Sequence, residues 1–384
     1  MLARRTALSL CVSITALLGV QGIVEPGAAQ NANCAALVQS TVPATRLRAL
    51  ARGFNLTGWL DGNETRRPDM AALAALHRAG FTHVRLPVAP ERLMAEFSTA
   101  TDVARARAEL DEAIDRLIRM GFAVSLDLHP GGRFARLHVA EPDRAFDLIE
   151  ALWRELAWRY ARYPVDHLFF EVLNEPSVSR TIWEQQGPRL AATIRANAPD
   201  HTIIYGTSDF QQIGSLPAQP LALPNVAYAV HYYAPMVFTH QGQDWSEDPL
   251  RDLHGVPFPA ARSDASVDRL MRELRATGHA AAADLLDQAL RTPWSEARVA
   301  AEVAGAGQWS ARHGVPVILN EFGVLSWKAP ASDRLRWLGT VRRAAEQACL
   351  GWAHWDYADA FGFMRRVGNS EIPDRAVLKT LLGD

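Results

Sequence analysis

Leu168-Phe169-Phe170-Glu171-Val172-Leu173-Asn174-Glu175-Pro176 sets five apolar side chains around one internal carboxylate and closes on Asn-Glu-Pro. A near-continuous apolar run of this length is the pattern of a parallel strand whose sheet is covered by helices on both faces. Proline ends it, because a central strand needs the N–H that proline lacks. Residues 168–174 are therefore read as a buried strand with polar chemistry at its end. The same form recurs along the chain. Val84-Arg85-Leu86-Pro87, Leu126-Asp127-Leu128-His129, Val230-His231-Tyr232-Tyr233, Ile318-Leu319-Asn320-Glu321-Phe322-Gly323 and Ala353-His354-Trp355 also pass from apolar to reactive side chains. Charges scattered along doubly buried strands would be costly. Six strands that place them at the same end imply one shared face.

Eight strands are expected, over 53–56, 82–87, 123–129, 168–174, 202–206, 227–231, 316–321 and 351–355. Amphipathic stretches over 68–79, 105–120, 143–163, 181–196 and 332–348 lie between them. Several close on a glycine stop, as at Ala79-Gly80 and Met120-Gly121. This alternation predicts an α/β chain folded as a single (β/α)8 TIM barrel. Residues 232–315 are too many for one helix, so a long helical insertion is expected between strands six and seven. Its helices are placed near 265–276 and 280–290, over the barrel mouth. An open doubly wound sheet is the alternative, weakened by the lack of a Gly-rich phosphate turn after the first strand.

The 384 residues are 48% hydrophobic and carry 40 basic against 42 acidic side chains. That balance gives no footprint for nucleic acid or an anionic membrane surface. Residues 1–29 are read as an export signal: basic Met1-Leu2-Ala3-Arg4-Arg5, a mostly apolar stretch from Thr6 to Val20, then small Gly27-Ala28-Ala29. The apolar part is too short to span a bilayer, so no integral membrane domain is expected. A secreted or periplasmic monomer follows, with Arg4-Arg5 leaving twin-arginine export open and an uncleaved anchor as the other possibility. Residues 30–50 lead into a barrel domain over 51–384. Cys11 falls in the signal. Cys34 and Cys349 remain, an even pair that invites a disulfide in an oxidising compartment; two separate buried thiols are the alternative, since sequence does not supply their separation.

Glu175 and Glu321, ending strands four and seven, would face each other across such a barrel. Glycosidic bond hydrolysis requires a pair of this kind, one carboxyl protonated for the leaving oxygen and one ionised at the anomeric carbon. Their repulsion raises the pKa of one member. Arg85 and the Tyr233 hydroxyl would hold the other ionised, Asn174 can bond a sugar 2-hydroxyl, and Trp355 offers a flat apolar face to a pyranose.

These residues resemble the glycoside hydrolase family 5 cellulases, members of the clan of retaining (β/α)8 glycosidases. The likeness runs from Arg52-Gly53-Phe54-Asn55 to Trp355 through Arg-Leu-Pro, Leu-Asp-Leu-His, Leu-Asn-Glu-Pro, His-Tyr-Tyr and Asn-Glu-Phe-Gly, in the family's order. The resemblance implies Glu175 as general acid/base and Glu321 as nucleophile. It puts Arg85, His129, Asn174, His231, Tyr233 and Trp355 at the family's substrate-binding positions. It also implies no metal, no cofactor and a β-glucan polysaccharide or oligosaccharide as substrate. Endo-β-1,4-glucanase is the expected activity, with endo-β-1,4-mannanase and β-1,3-glucanase as alternatives. Two departures, Pro130-Gly131-Gly132 after His129 and the long segment 238–245, fall where outer sugar sites are shaped. A metal hydrolase using His129, His231 and His354 lacks His-x-His or His-Glu-x-x-His spacing. A non-catalytic oligosaccharide-binding barrel is the remaining alternative.

Other side chains receive blander readings. Trp59, Trp183 and Trp245 lie in or near strand-end loops and are candidates for stacking on outer sugars. Trp153, Trp158, Trp309 and Trp337 fall in helical patterns and are assigned to the core. Glu171 and Asp127 are read as structural charges. His83, His138, His167 and His240 have no motif context and are taken as surface or satisfied histidines.

Overall fold

Eight short strands close on themselves: β1 (Arg52–Asn55), β2 (His83–Val88), β3 (Ala123–Leu128), β4 (Leu168–Glu171), β5 (Ile203–Gly206), β6 (Val226–His231), β7 (Val317–Glu321) and β8 (Gly351–His354). Each pairs in parallel with the next, and β8 returns to β1 through Arg52↔Trp352 and Phe54↔His354. That last pairing excludes the open sheet and makes the chain a (β/α)8 TIM barrel. The computed structural model describes Cys34 and residues 40–62, 66–358, 360–367 and 370–383; the export signal expected over 1–29 lies outside the described residues.

Helices between the strands form where apolar spacing and caps agree. Ala100–Arg119 starts at Thr99, whose hydroxyl accepts the Asp102 N–H, and buries Val103, Ala106, Leu110, Ala113, Ile114 and Leu117 along one face. Met70–Ala79 is capped by Asp69 and stops at Gly80, whose φ of 115° suits glycine. The segment between β6 and β7 carries helices Ala265–Ala276, Ala280–Ala289 and Glu296–His313.

Period-two alternation sorts each strand into an inner and an outer set. Ala123, Phe169, Ile204, Ala227, Ala229 and Ile318 gather with Leu50 into an apolar floor inside the barrel. Val84, Leu86, Phe170, Leu319 and Trp352 pack outward in the larger core under the helices. Above the floor the inner positions turn polar: Asn55, Arg85, Ser125, Asp127, Glu171 and Asn320 are all buried. The polar layer sits toward the C-terminal strand ends, where barrel sites are built.

The opposite end is closed by the segment entering β1. Helix Ala44–Ala49 brings Arg46 beneath the barrel, where it hydrogen-bonds Asp166 (2.9 Å), the Asp200 carbonyl (2.8 Å) and Thr202 (3.1 Å). Those residues precede β4 and β5, so one guanidinium ties two strand entries together. Cys34 is bonded to Cys349, just before β8, with Cα atoms 5.5 Å apart and a sequence separation of 315. The two thiols are thus joined. Restricting so long a loop in the unfolded chain stabilises the fold. Cys34→Ser is expected to lower unfolding free energy by about 2–4 kcal/mol, read from urea midpoints; reductant should reproduce the shift in the wild type and do nothing to the variant.

Candidate active site

Arg85 is fully buried on β2, and each of its five N–H groups has an acceptor. Nε and Nη2 donate to the two oxygens of Glu171 at 2.9 and 2.8 Å. Nη1 donates to Asn55 Oδ1 at 2.9 Å and Glu321 Oε1 at 2.5 Å. Nη2 also donates to Asn174 Oδ1 at 2.7 Å and lies 3.0 Å from Asp127. Burial opposes the guanidinium's charge, but Asp127, Glu171 and Glu321 outweigh it and raise its pKa well above the usual value. Glu171 and Asp127 are therefore structural partners of Arg85. Burial pushes the Glu171 carboxyl up against the pull of Arg85, and Asn320 donates to the same carboxylate at 2.8 Å.

Glu321, the last residue of β7, accepts from Arg85 on one oxygen and from the Tyr233 hydroxyl on the other at 2.9 Å. Strict alternation would point Glu321 away from the interior that Asn320 faces. His231 already faces inward with Ala227 and Ala229, and a register shift between Val230 and His231 sets Glu321 opposite it and brings Glu321 into the polar layer. Glu175 is placed differently. The ladder of β4 ends at Glu171 and not at residue 174, and Glu175 takes a left-handed φ of 38°. Its side chain is 31% exposed, and one oxygen lies 2.9 Å from His231 Nδ1. Burial raises the Glu175 pKa, against the opposing charges of His129 and Arg85. Burial likewise drives His231 down to about 4, holding it neutral above that pH. Oxygens of Glu175 and Glu321 approach within 4.8 Å, with His231 Nδ1 inside the same limit.

The remaining expected residues form one chain of contacts. Asp127 faces His129 Nδ1 at 2.9 Å, and Asn174 Nδ2 reaches His129 Nε2 at 3.2 Å. Because Arg85 occupies Asn174 Oδ1, the amide turns its NH2 to His129, so a neutral His129 carries its proton on Nδ1. Burial works against charge on His129, while the Asp127 hydrogen bond and charge raise its pKa. Trp355 stacks on this imidazole, ring centres 5.4 Å apart and planes 19° off parallel. All eight expected site residues thus converge at one end of the barrel. His354 does not join them: its Nδ1 faces the Asp356 carbonyl and its ring packs on Phe322 and Phe363. That removes the three-histidine metal arrangement. The described group with ligand-like spacing is Glu175, His231 and Glu321, whose facing atoms already bond one another, Arg85 and Tyr233.

Three tryptophan readings are corrected. Trp59 and Trp183 are buried at 1% exposure, so neither meets an outer sugar. Trp183 turns its Nε1–H to the Gly206 carbonyl and stacks on Tyr205. Trp158 is 73% exposed and outside the core, because Leu152, Trp153, Leu156 and Tyr160 define the buried face of its helix and it lies off that stripe. Trp245 is exposed as expected, and it belongs to an aromatic path. From Tyr233 the rings run to His240 (5.0 Å), Phe361 (5.4 Å), Trp245 (6.3 Å) and Trp327 (6.4 Å). Trp327 was missed, although it stands six residues after Glu321. Asn55, Glu91 and Gln211 were missed too. Glu91 accepts the N–H groups of Gly131 and Phe134, pinning the departing Pro130-Gly131-Gly132 turn to the loop after β2. A cavity of about 350 Å³ opens there, lined by Asp61, Glu91, Gly131, Arg133 and Arg136.

A (β/α)8 barrel with two carboxylates facing each other at its C-terminal mouth has the architecture of a glycoside hydrolase. The family model for cellulase, glycosyl hydrolase family 5, matches residues 45–360, and the chain belongs to that family. It is 26% identical over 360 residues to Endoglucanase 3 of Fibrobacter succinogenes, covering 86% of this chain and 53% of that protein, about half its length. Cellodextrinase A of Ruminococcus flavefaciens is 24% identical over 317 residues, 77% of this chain and 82% of that protein. Among solved structures, a mutant form of Thermotoga maritima Cel5A in complex with cellobiose superposes with a TM-score of 0.73 at 25% identity, covering 89% of this chain and 99% of that one.

Removing Arg85 would strand three buried carboxylates. Arg85→Met should lower unfolding free energy by at least ~3 kcal/mol; equal urea midpoints for variant and wild type would contradict its role as their shared counter-charge.

Proposed function

We propose that the protein is an exported, retaining endo-β-1,4-glucanase, with Glu321 as nucleophile and Glu175 as general acid and base. The direct facing of the two carboxyls, one oxygen of Glu175 within 4.8 Å of one oxygen of Glu321, carries the reading. Direct attack uses carboxyls about 5–5.5 Å apart, whereas an interposed water needs about 6.5–9.5 Å. The surroundings of the two carboxyls support the division of labour. Glu321 receives a hydrogen bond on each oxygen, from Arg85 and from Tyr233, which fixes its carboxyl in place. Glu175 has no cationic donor on it, and burial favours its protonated form.

In the first step a Glu321 oxygen bonds to the anomeric carbon as the glycosidic C–O bond breaks, and Glu175 gives its proton to the departing oxygen. In the second, Glu175 takes a proton from water as that water attacks the anomeric carbon and releases Glu321. Neutral His231, 2.9 Å from one carboxylate and 3.5 Å from the other, offers Nδ1 to both without adding a charge. The aromatic path to Trp245 and Trp327 supports a chain-like substrate, since pyranose faces stack on such rings. The names endoglucanase and cellodextrinase of similar proteins, and the cellobiose held by Cel5A, support β-1,4-glucan. The Cys34–Cys349 bond supports export, because disulfides persist in oxidising compartments.

The test is reducing-sugar release on carboxymethylcellulose, mannan, mixed-linkage glucan and laminarin, with Glu321→Ala and Glu175→Ala beside the wild type. Carboxymethylcellulose or mixed-linkage glucan should lead, and each variant should lose at least ~10²-fold. Mannan or laminarin in the lead would keep the mechanism and change the substrate. Binding without release by the wild type would favour the oligosaccharide-binding alternative. The pH profile checks Glu175 separately. The acid must arrive protonated, so kcat/KM should fall as pH rises through its pKa, with the midpoint of that limb above the ordinary carboxylate value of 4.5; a midpoint at or below 4.5 would reject the assignment.

A further inference from the structure

The loop after β5 contains the least comfortable backbone among the described residues. Asp209, Phe210 and Gln211 have φ values of 53°, 55° and 52°, three consecutive side-chain-bearing residues in the left-handed region. Such residues ordinarily enter it one at a time, because Cβ crowds the following carbonyl. Strain of this kind persists where surrounding contacts over-determine it, and it concentrates at functional sites. Here those contacts are visible. Gln211 is fully buried, and its Oε1 accepts the backbone N–H of Glu175 at 2.7 Å. Glu175 is itself left-handed and beyond the end of its strand, so its N–H has left the β-ladder. Gln212, the next residue, bridges to His231, whose ring holds the Glu175 carboxyl. Asp209 is anchored by an ion pair to Arg180. Gly206 leaves room for the amide, since a Cβ there would overlap Gln211 Nε2.

We infer that Gln211 is a positioning residue for the proton-donating carboxyl: it fixes the Glu175 backbone from below while His231 fixes the carboxyl from above. This rests on the reading of Glu175 as acid and base. The strained turn thereby holds the root of a side chain that belongs to no strand, and through Gln212 it adjoins His231, which holds the tip. Without the Gln211 acceptor, the Glu175 N–H loses its partner, and the carboxyl drifts from the glycosidic oxygen. Proton donation suffers, while the attack by Glu321, mounted on Arg85 and Tyr233, does not.

Leaving-group dependence reads this difference. A cello-oligosaccharide needs the proton; a 2,4-dinitrophenyl β-cellobioside does not, because its phenolate departs unaided. The quantity measured is the ratio of kcat/KM on the two substrates, which does not depend on how much of a preparation is folded. For Gln211→Met, of similar size but without the acceptor, kcat/KM on cellotetraose should fall about tenfold or more, and on the dinitrophenyl substrate less than about twofold. Gly206→Ala, which displaces the amide without touching Glu175, should move the ratio in the same direction. Glu175→Ala is the reference and should show the largest change. An unchanged ratio in both Gln211→Met and Gly206→Ala, with Glu175→Ala shifted, would overturn the positioning role alone. An unchanged ratio in Glu175→Ala would overturn the acid/base reading, and this inference with it.

Discussion

A single guanidinium, buried beyond the reach of water, is what the upper half of this barrel is built around. Arg85 directs its five donors to groups on β1, β4 and β7 and to the chain after β4, with Asp127 of β3 alongside. Strands that would otherwise meet only through their neighbours' ladders are thus tied across the barrel's diameter. Desolvating the cation is costly on its own, and the fork geometry of arginine meets that cost with directed carboxylate and amide partners. Lysine would supply charge without the five fixed directions.

The same centre creates the inequality between the two carboxyls at the mouth. Glu321 is fastened to the cation and to a phenol. Glu175 hangs beyond the end of β4 with a neutral imidazole as its nearest side-chain partner. Two chemically identical groups thus stand in different surroundings, one hydrogen-bonded to the cation and the other raised in pKa by burial. Asn174 and His129 carry the organisation outward: the arginine orients the amide, the amide orients the imidazole, and Trp355 lies flat against it.

Much of this was legible because doubly buried strands tolerate few polar residues. Arg85, Asp127, Glu171 and Glu321 stood out against apolar runs, and their common end pointed to one mouth. Local pattern failed where tertiary context decides. Trp183 lies in the first turn of a helix after β4, where sequence cannot show whether it turns to solvent or inward; it turns inward and donates to the Gly206 carbonyl. Trp158 was misplaced although the spacing of Trp153, Leu156 and Tyr160 already defined the buried stripe. Gln211 lies in a loop, and its value comes from a backbone conformation its residue type disfavours. Arg46 carries no motif, and its partners lie more than a hundred positions away. The strand ends were readable; the braces that hold them were not.

The bond between Cys34 and Cys349 makes nearly the whole barrel a closed loop of covalent bonds. The ends of that loop meet on the face away from the mouth, so the closure constrains none of the loops around Glu175 and Glu321. A single cut by a protease in any βα loop would open the ring without dividing the molecule. The halves would stay tethered and held by the remaining strand pairs. One backbone break therefore leaves a single covalently continuous molecule with its barrel intact.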